Sequence, residues 1–233
     1  MIYVAQRRQL FDLCHTLVAK RSISNQNAHL KSYLMGKTEK ITGIILAGGR
    51  GTRMGGVDKG FVLLQNQPLI QHVVSRLKHQ VDEIIINANR EIAQYQALGL
   101  TVLQDKTPDF IGPLAGLHLG LTHSKHTYVL TVPCDSPYLP ADLAQRLLYA
   151  LIENNADIAV ASSDGYAHPV FCLCKKKSLL SLNDYLAKDG RKVSAWQKSL
   201  AYVDVDFSDC SEAFINLNTT EDICNLELQL KNG

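Results

Sequence analysis

The stretch 44–59 brings together the residue types that bind phosphate. Within sixteen positions it contains five glycines and three cationic residues: Gly48, Gly49, Gly51, Gly55, Gly56, Arg50, Arg53 and Lys59. A glycine has no Cβ, so backbone N–H groups can approach an anion closely, and positive φ carries no strain. The guanidinium and ammonium groups add positive charge where phosphate oxygens would lie. We therefore predict that this loop, which follows the apolar run 41–47, binds phosphate groups.

Two common phosphate-binding patterns do not fit the loop. A Walker loop places Ser or Thr directly after its lysine, whereas Lys59 lies between Asp58 and Gly60. A dinucleotide fingerprint needs a third glycine where this chain has Met54. A tight turn between two elements would explain the glycines but not the three cations among them. The loop is therefore predicted to belong to another type of nucleotide site.

Asp135 is the second residue that could do chemistry. It follows the apolar run 128–132 and the pair Pro133-Cys134, so it would lie at the end of a buried strand. An unpaired buried carboxylate is costly, and Asp135 must therefore meet a cation, a hydrogen-bond donor or solvent. Next to phosphates, Mg²⁺ is a suitable partner because it is usually held by one or two carboxylates plus phosphate oxygens. The alternative is that Asp135 caps the turn that begins at Ser136.

The elements that must position these residues read as an α/β protein. Strands are predicted at 41–47, 61–64, 83–87, 100–104, 128–132, 157–161, 170–174 and 202–207, and most of the segments between them have apolar residues at helical spacing. This alternation predicts a mostly parallel central sheet with right-handed crossovers. The glycine loop, Asn87, Asp105 and Asp135 would then all lie at carboxyl ends of strands, where open α/β sheets bind ligands.

The loop also resembles a known family. The pattern Leu46-Ala47-Gly48-Gly49, with Arg53-Met54-Gly55 and Lys59 behind it, is similar to the signature loop of the nucleoside-triphosphate-dependent nucleotidyltransferases. These enzymes have a three-layer Rossmann-like α/β fold. The tight form at 53–59, RMGGVDK, resembles the molybdenum cofactor guanylyltransferase branch. The resemblance extends over 41–230 and includes the motifs at 112–116, 133–137 and 214–222, although Thr220 replaces the usual proline.

The resemblance implies a reaction and a set of site residues. It implies transfer of GMP from GTP to molybdenum-bound molybdopterin, with release of pyrophosphate and with Mg²⁺ as cofactor. The implied catalytic residues are Arg53, Lys59 and Asp135, of which Asp135 would be the metal ligand. The implied GTP-binding residues are Leu46, Ala47, Gly48, Gly49, Arg53, Lys59, Asn87, Asp105 and Asp135. The implied acceptor-binding residues are His168, Arg191, Asn216 and Asn218.

For two of these residues a structural role is an alternative interpretation, which is equally open for His168, whereas the resemblance favours the acceptor role for Arg191. His168 is a lone histidine, a residue that is often a structural hydrogen-bonding side chain. Arg191 and its neighbour Lys192 could form a solvated surface at the start of a helix. Asn216 and Asn218 are predicted to alternate on a strand and so to point to one side.

Charge and cysteine content limit the partners and the compartment that the sequence predicts. The formal net charge is +2, which favours neither nucleic acid nor a membrane surface as partner. Segment 1–40 has seven Lys/Arg and two acidic residues, so it is predicted to be a weakly ordered basic extension of a nucleotidyltransferase domain at 41–233. Its composition superficially resembles a transit peptide. The six cysteines form no metal-binding pattern, and Cys172 and Cys174 are predicted to be buried free thiols in a reducing, cytoplasmic compartment.

Other functions remain as alternatives at this point. The nearest is a related nucleotidyltransferase that uses CTP on the same pterin or acts on a sugar phosphate. A Rossmann oxidoreductase is a second, and the missing third glycine argues against it. A binding module that delivers cofactor to apo-enzymes is a third. The predicted partners are GTP, molybdopterin and maturation proteins of molybdoenzymes, and the predicted state is a monomer or weak oligomer.

Overall fold

The computed structural model describes residues 39–48, 58–105 and 112–232, and residues Lys40–Gly233 group into one compact unit. A seven-stranded sheet runs through this unit in the order β5-β4-β1-β6-β8-β7-β9. The strands of this sheet are β1 Ile41–Leu46, β4 Glu83–Asn87, β5 Thr101–Leu103, β6 Tyr128–Pro133, β7 Ile158–Ser163, β8 Tyr166–Lys175 and β9 Tyr202–Asp206. The predicted extension lies almost entirely outside the described residues, so its order remains a prediction.

The sheet is mostly parallel, as predicted. Strand β1 pairs in parallel with β4 and β6, and β5 pairs in parallel with β4. Only β8 runs against its neighbours β6 and β7, while β9 is parallel to β7. The turn that reverses the chain between β7 and β8 is Asp164-Gly165, whose φ angles of 52° and 81° fit the two-residue hairpin loop that Asp-Gly pairs favour.

Helices cover both faces of the sheet and make the three-layer α/β fold. They are α1 Leu69–Leu77, α2 Ile92–Gln96, α3 Pro113–His123, α4 Leu143–Glu153, α5 Leu179–Ala187, α6 Val193–Gln197 and α7 Thr220–Asn232. Neighbouring residues of β1 show the two faces: Gly43 lies against Leu77 of α1, and Ile44 lies against Gly120 of α3. One buried apolar cluster joins the α3 face of the sheet to α5 and α6, with Ile44, Leu117, Val160, Leu182 and Trp196 among its members.

The segment 61–64 differs from its prediction as a strand. A short 3-10 turn spans Lys59–Phe61, and only Leu63–Leu64 is extended, as strand β2, which pairs with β3 Gln67–Pro68 in a small hairpin. The Asp58 side chain caps this turn by accepting from Gly60 N at 3.1 Å, which holds the backbone in a helical rather than an extended conformation. Two further 3-10 turns span Lys176–Ser178 and Ser208–Phe214.

Cys172 and Cys174 of β8 are buried free thiols, as predicted. Within the ranges given above, no helix combines the length and the apolar character that a membrane crossing needs.

Candidate active site

The carboxyl ends of four neighbouring strands meet at one edge of the sheet. Ala47 N donates to Asn87 O at 2.8 Å, Cys134 N donates to Leu46 O at 3.1 Å, and Ala88 N donates to Leu103 O at 3.0 Å. These bonds extend the strand ladders beyond β1, β4 and β6 by one residue each. The predicted convergence of residues 46–48, Asn87, Asp105 and Asp135 at this edge is therefore the arrangement that the structure has.

Asp105 is held by two asparagine side chains. Asn87 Nδ2 donates to Asp105 Oδ1 at 2.9 Å, and Asn89 Nδ2 donates to Asp105 Oδ2 at 2.7 Å. In return Asn89 Oδ1 accepts from Asp105 N at 2.9 Å. The carboxylate is thus fixed on both oxygens, which leaves it as a rigid acceptor for a ligand N–H. Asn89 was not among the sequence-predicted site residues; it stands two positions after Asn87, past the end of β4.

Two glycines leave the space that the Asn87 side chain occupies. A Cβ on Gly116 would lie 2.4 Å from Leu46 Cδ2 and 2.5 Å from Asn87 Oδ1. A Cβ on Gly48 would lie 3.1 Å from Asn89 Nδ2 and 3.3 Å from Asn87 Oδ1. The close approach of α3 to β1 and β4 therefore requires glycine at position 116. Asn87, only 3% exposed, is enclosed between Gly48 and α3.

Lys59 and Asp135 form the charged centre of the edge. Lys59 Nζ lies 3.0 Å from Asp135 Oδ2 and 2.5 Å from Asn218 Oδ1. The Lys59 and Asp135 side chains are 24% and 13% exposed, so both remain within reach of a ligand from solvent. Asp135 therefore does not act chiefly as a cap of the next turn: its carboxylate is paired with an ammonium group. Three predicted site residues from distant parts of the chain meet here.

The segment 215–218 joins this centre through its backbone. Leu217 N donates to Asp135 O at 2.9 Å, and Ser136 Oγ donates to Asn216 Oδ1 at 2.5 Å. The segment is irregular, so the prediction that it forms a strand is wrong; the next backbone N–H, that of Asn218, donates to the Asp222 side chain and not to a strand partner. Thr219 and Asp222 bond reciprocally at the start of α7, which makes a capping box.

A buried aspartate–tyrosine pair lies directly behind Lys59. Tyr95 of α2 is fully buried, and its hydroxyl donates to Asp58 Oδ1 at 2.5 Å. Burial, with the negative groups nearby, raises the pKa of Tyr95 far above its usual value, so the hydroxyl stays protonated. Sequence reasoning missed both residues. Tyr95 looks like an ordinary core position on an amphipathic helix, and Asp58 was considered only as part of the RMGGVDK motif.

Cys134 is close to this charge cluster but is chemically quiet. The residue is buried, and burial followed by the negative charges of Asp135 and Asp58 raises the pKa of its thiol far above the usual range. A thiol that stays protonated is a poor nucleophile. The site therefore offers a carboxylate, an ammonium and amides, but no activated nucleophile of its own among these residues.

His168 lies in an aromatic cluster on β8. Its ring stacks on Phe214 with centroids 4.4 Å apart and an angle of 7° between planes, and its Nε2 shares a 2.7 Å hydrogen bond with Ser163 Oγ. Burial lowers the pKa of His168, partly offset by Asp164. These contacts describe a structural packing role; a role toward the acceptor stays a prediction.

Arg191 is held by its own loop. The guanidinium lies 2.9 Å from Asp189 Oδ1 and donates to the carbonyl oxygens of Leu186 and Gly190. These partners lie in the last turn of α5 and in the connection that follows it, so its described contacts do not bring it to Lys59 or Asp135. Arg53 and Gly49, which the sequence assigns to GTP, lie outside the described residues.

The residues at the carboxyl edge suit one mode of Mg²⁺ binding, in which the protein supplies few of the ligands. Among the described residues no three His, Cys, Asp or Glu side chains form a metal-binding group. Asp135 is a single carboxylate whose described hydrogen bonds fall on Oδ2 only, and it already holds a cation in Lys59. Such a donor set suits a hard cation that takes most of its ligands from phosphates and water. It does not suit a closed structural metal site.

Comparisons with known proteins agree with this geometry. The family model described as "MobA-like NTP transferase domain" matches residues 43–203. A protein of Polynucleobacter asymbioticus named molybdenum cofactor guanylyltransferase is 47% identical over 196 residues, which cover 82% of this chain and 98% of that protein. A protein of the same name from Cupriavidus metallidurans is 43% identical, over 84% of this chain and 98% of that protein.

Solved structures extend the comparison to the fold. A molybdopterin-guanine dinucleotide biosynthesis protein A from Archaeoglobus fulgidus superposes with a TM-score of 0.68 at 20% identity, covering 82% of this chain and all of that one. A 4-diphosphocytidyl-2C-methyl-D-erythritol synthase from Anaerococcus prevotii gives a TM-score of 0.64 at 16% identity, covering 84% of this chain and all of that one. At these identities the likeness concerns the fold alone.

Proposed function

We propose that this chain, which belongs to the MobA-like NTP transferase domain family, transfers GMP from GTP to molybdenum-bound molybdopterin. The product would be the molybdopterin guanine dinucleotide cofactor, and pyrophosphate would leave. The names of relatives 43–47% identical over most of both chains support this substrate pair. The single structural observation that carries the proposal is the contact of Lys59 with Asp135 at the carboxyl edge of a parallel sheet.

The reaction is an exchange of one phosphoanhydride linkage for another. An oxygen of the pterin's terminal phosphate attacks the α-phosphorus of GTP, a new P–O–P bond forms, and the bond between the α-phosphorus and the bridging oxygen to the β-phosphate breaks. The phosphate nucleophile is already ionised, so no general base is required. Catalysis then consists of positioning two anions and neutralising their charge.

The chain's own residues supply these two effects. The loop at 46–49 would place backbone N–H groups along the triphosphate. Lys59, which already balances Asp135, would neutralise phosphate charge, and Arg53 would do so at the leaving pyrophosphate. Asp135 would hold Mg²⁺, which when bound lowers the repulsion between the two anionic substrates.

The residues assigned to the guanine base and those assigned to the acceptor are supported by different contacts. Asn87 and Asp105 form a fixed amide–carboxylate pair, of the kind that accepts from and donates to the edge of a base, so we assign them to the nucleotide. Asn216 and Asn218 lie beside Asp135 and Lys59 and are the better supported acceptor residues. His168 and Arg191 keep the acceptor role only as predictions, since their described partners are structural.

A transfer assay with both nucleotides tests the proposal. Purified protein, molybdenum-loaded molybdopterin and labelled GTP should give the dinucleotide with Mg²⁺ and none after chelation of the metal. CTP in place of GTP should give no product. Incorporation from CTP without incorporation from GTP would overturn the nucleotide assignment, and NADH binding with no transfer from either nucleotide would point to an oxidoreductase. Interaction with maturation proteins and a cytoplasmic location remain predictions outside this assay.

A further inference from the structure

The fixed position of Lys59 requires an explanation that the proposed reaction does not supply. A lysine has four rotatable side-chain bonds and is strongly hydrated, so it holds a defined place only when its surroundings restrict it. Here its Nζ is bonded to both Asp135 Oδ2 and Asn218 Oδ1. Its backbone, however, belongs to a three-residue 3-10 turn, Lys59–Phe61, which follows a glycine-rich segment. A turn this short has little stability of its own.

Asp58 supplies the missing restraint on the backbone. It precedes the turn with extended dihedral angles, and its Oδ1 accepts from Gly60 N at 3.1 Å while its carbonyl accepts from Phe61 N at 3.1 Å. Asp58 is only 6% exposed, and its second carboxylate oxygen, Oδ2, is buried without a hydrogen-bond partner among the described residues. A carboxylate with one unsatisfied oxygen will rotate toward water unless something holds the other oxygen in place.

The Tyr95 hydroxyl is the group that holds it. It donates to the same Oδ1 at 2.5 Å, and its ring packs on Phe61 with centroids 4.5 Å apart. Gly60 leaves the space for this contact, since a Cβ there would lie 2.3 Å from Tyr95 Oη. Tyr95 is fully buried and Asp58 nearly so, which means that neither presents itself to a substrate.

We propose that Tyr95 is a positioning residue for Lys59: its hydroxyl fixes the Asp58 carboxylate that caps the turn, and thereby sets where the Lys59 ammonium lies against Asp135 and Asn218. The proposal rests on the proposed function only in giving Lys59 a role toward the nucleotide. The pair Tyr95–Asp58 takes no part in bond making; it acts through the backbone of the residue that does.

The test is a double-mutant cycle between Tyr95→Phe and Lys59→Met, read out as nucleotide affinity. Tyr95→Phe removes one hydroxyl and keeps the ring that packs on Phe61. In the parent protein it should weaken GTP binding by about tenfold, the value of one well-placed hydrogen bond to a charged group. In the Lys59→Met background the same change should leave GTP affinity unaltered, because the residue through which it acts is already gone.

A matched control separates position from stability. Tyr202→Phe also removes a hydroxyl that donates to an aspartate, Asp204 Oδ1 at 2.6 Å, but on β9 at the opposite edge strand of the sheet. It should leave GTP affinity unchanged, and urea unfolding of all variants should show that each is folded at the assay temperature. Gly60→Ala, which pushes a Cβ against the Tyr95 hydroxyl, should reproduce the affinity loss of Tyr95→Phe.

Two results would overturn the proposal. One is an unchanged GTP affinity in Tyr95→Phe; the other is an equal loss in the parent and Lys59→Met backgrounds, which would mean that Tyr95 acts through the fold and not through Lys59. If the parent protein binds CTP in place of GTP, the nucleotide assignment fails while the same cycle, run with CTP, still decides the role of Tyr95.

Discussion

The ammonium of Lys59 lies 3.0 Å from Asp135 Oδ2, although 76 positions of the chain separate the two residues. Parallel pairing of β1 with β6 places the end of β6, and with it Asp135, beside the segment that follows β1. A cation and an anion thus face each other just after the loop that is predicted to bind phosphate. In the proposed reaction each side chain would exchange its partner for a ligand group of the same charge. Lys59 would contact phosphate in place of Asp135, and Asp135 would contact the metal ion in place of Lys59.

The first prediction concerns the stability of the ligand-free protein. Because the two side chains are only partly exposed, Lys59→Met and Asp135→Asn should show a coupling free energy of about 0.5–1 kcal/mol in a double-mutant cycle of urea unfolding. The exposed pair Lys177–Asp157 is a matched control and should show a smaller coupling. Zero coupling between Lys59 and Asp135 at low salt would contradict the contact.

The second prediction concerns transfer. Asp135→Asn keeps the shape of the side chain but removes its charge, so the rate of GMP transfer should fall by about 10²-fold or more with the fold intact. Asp157→Asn is the comparison, since Asp157 is also paired with lysines but lies before β7, at the amino ends of the strands. Steady-state assays with circular dichroism would check both. Full activity in Asp135→Asn would show that the metal assignment is wrong.

The third prediction concerns Asn89, which holds Asp105 through two hydrogen bonds. Asn89→Ala frees one carboxylate oxygen, and the affinity for GTP should fall about tenfold because Asp105 is no longer fixed. Gln94→Ala removes an exposed amide–carboxylate bond to Glu91 and should have no effect. Titration with GTP gives both values; unchanged affinity in folded Asn89→Ala would remove Asp105 from the nucleotide site or make its orientation irrelevant.

The fourth prediction compares two glycines one helical turn apart on α3. A Cβ on Gly116 would contact Leu46 and Asn87. A Cβ on Gly120 would instead lie 2.5 Å from Ile44 of β1. Alanine at either position should cost about 1–3 kcal/mol of unfolding free energy through overpacking. Only Gly116→Ala should also weaken GTP binding, because it displaces Asn87. Equal nucleotide affinities for the two variants would contradict the role of Asn87.

The fifth prediction concerns pH and His168. Burial lowers its pKa in the folded protein, so the unfolded chain binds more protons between that lowered value and the ordinary value of about 6.5. The folded state therefore loses stability as the pH falls through this window. Unfolding free energies at about pH 7.5 and about pH 5.5 should differ more in the parent than in His168→Asn. Identical differences would show that His168 does not titrate abnormally.

The sequence by itself determined the features that depend on neighbouring residues. The alternating strands and helices, the Asp164-Gly165 hairpin and the Thr219–Asp222 capping box all arise from backbone preferences or bonds across a few positions. These features were enough to predict a mostly parallel sheet with ligand-binding residues at its carboxyl edge. One prediction about a short segment was wrong: 216–218 is irregular and not a strand, with Leu217 N bonded to the Asp135 carbonyl and Asn218 N bonded to the Asp222 side chain.

Only the tertiary structure decided which side chains act together. The hydrogen bond between Lys59 and Asn218 joins residues 159 positions apart in the chain. Those between Tyr95 and Asp58 and between Asn89 and Asp105 join residues 37 and 16 positions apart. A buried tyrosine on an amphipathic helix has no local mark that separates a core residue from a positioning one. The physical reason is that these contacts depend on strand order and on the close approach of elements, and neither is encoded in the spacing of residues along one segment.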